Sequence, residues 1–127
     1  MAKRVKEIYF SVPNKVGVLA KVTSTLSAAR VNIIHAVAWV EGTKGHFDIV
    51  TNNNAKAKKA LSTIGIRCGD CNSVILTLKN KVGALERIAK KLAKAKVNIS
   101  CLSATSGGSK TSILIHTKNN SKAARIV

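Results

Sequence analysis

The chain repeats itself. Asn14-Lys15-Val16-Gly17-Val18-Leu19 recurs as Asn80-Lys81-Val82-Gly83-Ala84-Leu85, an offset of 66 residues from position 14 to position 80. At the same offset Leu26 meets Leu92, Val31-Asn32-Ile33 meets Val97-Asn98-Ile99, Ala38 meets Ala104, Ile49 meets Ile115 and Asn53-Asn54 meets Asn119-Asn120, without a gap. A shared apolar rhythm broken at the same points marks one folding unit used twice. With 127 residues, each copy is a small domain, and 46% hydrophobic residues is enough for a core in each. The boundary is expected between residues 1–72 and 73–127.

The hydrophobic period switches within each copy and places the elements. Ile8, Phe10 and Val12 alternate with Glu7, Tyr9 and Ser11, as in a strand with one buried face. After the turn, Leu19, Val22, Leu26 and Ala29 follow helical spacing, as do Leu85, Ile88, Ala89, Leu92 and Ala95 in the second copy. Val31–Val40 and Gly45–Thr51 are β-prone runs around Glu41-Gly42-Thr43-Lys44, a hairpin signal, and Asn53 or Asn54 can cap a helix over 55–64. With Ile66–Cys71 as a last strand, the order is βαββαβ. The expected fold is therefore α+β: two ferredoxin-like units, antiparallel sheets with helices on one face. The second unit lacks its last strand, because Val127 corresponds to Leu61. That leaves a sheet edge to be covered by the first copy's last strand or by a partner chain.

Val12-Pro13-Asn14-Lys15-Val16-Gly17-Val18-Leu19, followed by Val31-Asn32-Ile33, resembles the ACT domain, a regulatory module that binds small molecules in amino-acid metabolism. The resemblance spans nearly the whole chain, twice. Asn14, Gly17 and Leu19, then Asn80, Gly83 and Leu85, match the family's turn, while Val16 and Val82 stand where the family commonly has proline. It implies that neighbouring units associate and hold an amino acid at their interface. The ligand would lie between the turn of one unit (Asn14, Lys15, Val16, Gly17, Val18, Leu19; or Asn80, Lys81, Val82, Gly83) and the second-strand start of a neighbour (Asn32, Ile33; or Asn98, Ile99).

The turn's own chemistry is compatible with this. A glycine before a helix permits a positive φ or a close backbone approach, and the helix N-terminus offers unpaired N–H groups to a carboxylate. The amide oxygens of Asn14 or Asn32 could accept from an ammonium group. The plainer alternative is a tight strand-to-helix turn in which Asn14 and Asn80 merely cap the helices.

Other chemistry is disfavoured. Cys68-Gly69-Asp70-Cys71 has the spacing of a metal knuckle or redox pair, but there is no second such pair, and His46 is expected opposite Trp39 rather than near His35. Ordinary thiols, no metal and no cofactor are expected. Five acidic residues form no evident acid–base pair and no nucleophile motif is present, so no catalytic residues are assigned and a non-enzyme is expected. The start of the chain has no apolar run behind its basic residues and no stretch is long enough to span a membrane, so a cytoplasmic location is expected. The net charge of +17 raises nucleic-acid binding as the alternative function. With 3% aromatics there is little for bases to stack on, which limits that alternative to weak electrostatic contact and leaves an acidic protein as a further partner. In the second strand Ile34, Ala36, Ala38 and Val40 are expected on one side, and Ile33, Val37 and Trp39 on the other. A strand apolar on both faces predicts a homodimer or higher homo-oligomer.

Overall fold

A computed structural model describes residues 2–127. Ten elements follow in the order β1 (Lys3–Pro13), α1 (Val18–Ala28), β2 (Ile33–Glu41), β3 (Lys44–Thr51), α2 (Asn54–Ser62), β4 (Gly69–Lys79), α3 (Ala84–Lys94), β5 (Ile99–Gly107), β6 (Lys110–Thr117) and α4 (Asn120–Ile126). Each of the last five begins 66 residues after its counterpart among the first five. The chain divides into two compact units, one made of Lys6–Cys71 and one made of Asn72–Val127 together with the N-terminal segment through Val5.

In the Lys6–Cys71 unit β3 lies between β2 and β1, antiparallel to both. The registers Ile8↔Ile49 and Phe10↔Phe47 put these four side chains on one face. Val22 and Leu26 of α1 and Ala57 and Leu61 of α2 pack on that face, so both helices cover the same side of the sheet. Phe10 and Phe47 stack with ring centroids 4.9 Å apart. Burial of a side chain such as Leu26 or Leu61 stabilises the unit by about 1.5–3 kcal/mol. The opposite face carries Tyr9, Trp39 and His46, the last two stacked at 5.3 Å as expected from the pairing Trp39↔His46. A Cβ on Gly69 would overlap the tip of the Tyr9 ring, which would have to swing aside.

The Asn72–Val127 unit repeats the plan. Registers Val74↔Ile115 and Leu76↔Ile113 align one face of β4 and β6, on which Ile88 and Leu92 of α3 and Ala123 of α4 pack. Ala2 packs against this core, and the Arg4 guanidinium donates to Ser121 Oγ at 3.0 Å. The start of the chain thus belongs to this unit, a third answer to the open edge that neither expected candidate anticipated.

Three details depart from the sequence reading. Ile66–Cys71 is not a strand of its own: Ile66 is a buried plug after α2, and Gly69–Cys71 opens the continuous β4. A β-bulge at Ile33/His35 inserts one residue, so Ile33 packs on the helix-side core with the parity of Ala36 and Ala38, not with Val37 and Trp39. The same shift recurs at Ile99/Cys101. Leu19, Leu85 and Ala89, assigned to buried helix faces, are exposed, while Ala84 is buried instead. Only Val22 and Leu26, and Ile88 and Leu92, form the fully buried seam.

Candidate ligand-binding site

The turn from β1 into α1 is built by backbone bonds. Asn14 N–H donates to Thr43 C=O at 2.9 Å, tying the turn to the β2–β3 hairpin, and Val18 N–H reaches Lys15 C=O at 3.3 Å. Gly17 is the N-cap of α1 with φ 89, and no side chain caps the helix. This left-handed backbone is why glycine stands there, and Gly83 repeats it with φ 84. Neither Asn14 nor Asn80 is an N-cap, so the plainer capping role does not hold. Lys21 N–H bonds to Gly17 C=O at 2.9 Å, which starts the helix ladder and leaves the N–H groups of Leu19 and Ala20 without helical acceptors. No acidic residue occupies the first turn of α1, so the positive end of the helix dipole is uncompensated.

A cavity of about 260 Å³ opens beside these groups. Its floor is the turn, with Pro13, Asn14, Lys15, Gly17, Val18 and Leu19; its walls are Ala38, Trp39 and Val40 of β2 with Gly45 and Phe47 of β3. The Asn14 side chain has no hydrogen-bond partner among the described residues. Of the lining residues, Leu19, Trp39 and Val40 are exposed, an apolar rim rare on the surface of an isolated domain. A polar floor under an apolar rim suits a small molecule with one anionic group and a hydrophobic remainder. A larger hollow of about 560 Å³, around Tyr9, Trp39, His46 and Arg67, is lined by strand and loop residues and by none from a helix.

Of the residues singled out from sequence, Asn14, Lys15, Gly17, Val18 and Leu19 line the cavity, whereas Val16 projects fully into solvent. Asn32 and Ile33 lie elsewhere: Ile33 pairs with Thr51, while Val40 beside the cavity pairs with Gly45. At about 3.3 Å per residue the two ends of β2 are roughly 20 Å apart, too far for one amino acid within one unit. Asn32 N–H donates to Asn52 Oδ1 at 3.0 Å. Trp39, Val40 and Phe47 were missed as wall residues; the hairpin register, which sets Val40 beside Gly45 and Gly45 beside Val12, is the signal that reveals them.

The second turn has the same backbone and different chemistry. Asn80 donates from Nδ2 to Gly108 C=O at 3.0 Å and its Oδ1 lies 3.5 Å from Thr111 Oγ1, so its amide is held by the β5–β6 hairpin. Glu86 sits in the first turn of α3 and opposes an incoming carboxylate. Val82 is fully exposed like Val16, and Asn98 and Ile99 border a separate shallow groove with Ala89 and Ala93.

The two thiols of Cys68-Gly69-Asp70-Cys71 diverge. Cys68 packs against the helix-side core, while Cys71 donates to Glu7 Oε2 across 3.7 Å on the other side. Burial raises both thiol pKa values; for Cys71 the nearby Glu7, Asp48 and Asp70 carboxylates add to it and bring it to about 12. For Cys68 the Lys58 ammonium pulls the other way without cancelling the rise. Protonated thiols are poor nucleophiles and poor metal ligands.

Comparison with known proteins assigns the fold. The ACT domain family profile matches residues 6–67. Residues 6–67 are an ACT domain. Among solved structures, protein BT0572 from Bacteroides thetaiotaomicron superposes with a TM-score of 0.91 at 22% identity, over 98% of this chain and 87% of that one. The ligand-free regulatory subunit of aspartate kinase from Thermus thermophilus gives 0.72 at 13% identity, over 99% and 92%. The aspartokinase alpha and beta subunits give 0.66 at 20%, over 98% and 93%. At these identities the likeness is one of fold. No curated protein sequence matches closely enough to count as a relative. No helix among the described residues is long and apolar enough to cross a membrane.

Proposed function

We propose that the chain is a non-catalytic regulatory module that takes a free amino acid at the first ACT turn. The observation that carries this is the cavity at Gly17, where the uncapped α1 N-terminus and the unengaged Asn14 amide meet an apolar wall of Trp39, Val40 and Val18. The carboxylate is received by the N–H groups of Leu19 and Ala20 with Lys15 nearby, the ammonium by the Asn14 Oδ1, and an apolar side chain lies against Trp39. A second copy of the chain closes the exposed rim and presents its Asn32 and Ile33 to the ligand, which makes the active form a homodimer or higher homo-oligomer. The second turn, with Asn80 engaged and Glu86 in place, is left unoccupied, so Lys81, Val82, Gly83, Asn98 and Ile99 serve structure only. Binding is thus one ligand per chain, and it alters the contact the chain makes with another protein.

A thermal-shift screen of the twenty amino acids followed by calorimetric titration tests this. An apolar amino acid should raise the melting temperature, at 100-fold excess over Kd by an amount equivalent to about 2.7 kcal/mol. It should bind at one site per chain, and Asn14→Ala should abolish the shift while Asn80→Ala leaves it intact. If no amino acid shifts the transition, or if Asn80→Ala removes binding and Asn14→Ala does not, the reading is wrong.

A further inference from the structure

The positive charge is not spread evenly. Lys6–Cys71 carries nine Lys and Arg against four acidic residues, whereas the other unit carries thirteen against Glu86 alone. Arg87, Lys90, Lys91 and Lys94 lie three and four residues apart along α3, so they form one stripe on its outer side, and all four are exposed. Glu86 reaches Lys90 only at 3.7 Å with both side chains largely in water, which neutralises little. Like charges at these spacings weaken a helix.

The repeat supplies an internal control. At the equivalent places α1 carries Lys21, Ser24, Thr25 and Ala28, yet it too is eleven residues long, with the same left-handed glycine N-cap and with Val22 and Leu26 buried where α3 buries Ile88 and Leu92. The fold does not require the lysines. We propose that the outer face of α3 is a docking surface for double-stranded nucleic acid, held through its phosphate backbone without sequence preference.

Charge density and the missing rings select this partner. The stripe from Arg87 to Lys94 is about 10 Å long, at 1.5 Å per residue. Over that length a duplex presents roughly six phosphates, at one charge per 1.7 Å, a match that the mixed charges of an ordinary acidic protein surface do not offer. All four aromatic residues, Tyr9, Phe10, Trp39 and Phe47, belong to the Lys6–Cys71 unit, so the unit that carries α3 holds no ring of its own on which single-strand bases could stack. Lysine ammonium groups serve as point charges for phosphate and carry no base readout.

Fluorescence anisotropy with a short duplex of arbitrary sequence, titrated across a salt series, decides the matter. The comparison is the full chain against Lys90→Ser/Lys91→Thr/Lys94→Ala, which installs the residues α1 already carries. The native chain should bind with a steep salt dependence, and the triple variant should show a slope of log K against log salt shallower by about 2.7, that is 0.9 per removed charge. Its melting temperature should be unchanged or higher, which separates lost binding from lost folding. No binding of duplex by the native chain, or an unaltered slope in a folded variant, overturns the proposal. Equal affinity for poly-glutamate at the same salt also overturns it, in favour of an acidic protein partner.

Discussion

Gly17 is the residue on which the first site turns, because its φ of 89 both aims the α1 N-terminus and keeps the turn clear of side chains. A Cβ there would meet nothing within 4 Å, so Gly17→Ala tests backbone strain alone. The left-handed penalty of about 1–2 kcal/mol, less the gain from stiffening the unfolded chain, should lower stability by about 1 kcal/mol in urea melts. Asn14→Ala should leave stability within about 0.5 kcal/mol, since its side chain bonds to none of the described residues. Cys71 makes a pH prediction. Its folded pKa lies above the ordinary thiol value, so the protonated form is the one the fold favours, and the associated stability is intact below about pH 9. It is lost as pH rises from there towards about 12, and melting temperatures should fall over that window more steeply in the native chain than in Cys71→Ala. Mass-spectrometric mapping of alkylation at pH 8 should find Cys71 poorly labelled; rapid labelling would sink the assignment. The turn residues were legible in sequence because Asn14 to Leu19 are contiguous and glycine before a helical period has few meanings. Trp39 and Val40 were not, because only strand pairing brings them to the turn.

The elements were more legible at their ends than along their faces. Asn53 caps α2 by accepting from Lys56 N–H at 3.0 Å, as Asn119 does for Lys122 in α4. Asn54 does something the helical period did not reveal. Its Oδ1 accepts from Thr51 N–H and Thr51 Oγ1, and its Nδ2 donates to Lys6 C=O at 2.9 Å, so it joins α2 to β1 and β3. Asn53→Ala should therefore cost about 1 kcal/mol, the usual loss of a cap. Asn54→Ala should cost more, about 2–3 kcal/mol, because it strands partly buried groups on Thr51 as well. Urea melts of the two variants, giving a larger loss for Asn53, would reverse this ranking. The hairpin at Gly42 and Thr43 was readable since glycine with a positive φ is what such a tight turn needs. The β-bulge was not: Ile33-Ile34-His35 contains no glycine or proline to announce it, and one inserted residue exchanges the faces of everything that follows it. Two-sided apolarity in β2, read as evidence for a partner, therefore reduces to Trp39, Val40 and Ile34 as the exposed large side chains of that strand.

At the scale of the whole molecule, order along the chain and membership of a unit part company at the N-terminus. β1 is one strand from Lys3 to Pro13, but its first residues count with Asn72–Val127 and the remainder with the ACT unit of Lys6–Cys71. The offset between the copies explains why. Lys3–Val5 is the counterpart of Gly69–Cys71, and each opens the strand that begins its copy. A unit whose own sequence supplies only three strands, β4, β5 and β6, gains a fourth from the far end of the chain, at a sequence separation of more than a hundred residues, as between Arg4 and Ser121. Small units bury too little surface to spare a strand, so this segment should govern the stability of the unit it joins. Removing the residues up to Val5 takes Ala2 from the core and breaks the Arg4–Ser121 hydrogen bond. Hydrogen exchange should then accelerate at buried amides such as those of Leu76, Ile113 and Ile115, while Ile8, Phe47 and Ile49 keep most of their protection. Equal acceleration at both sets would show the chain opening as one cooperative body. Unchanged exchange at Leu76 and Ile113 would show that the N-terminal segment is only a passenger on its unit, and that the edge of β4 is stable without it.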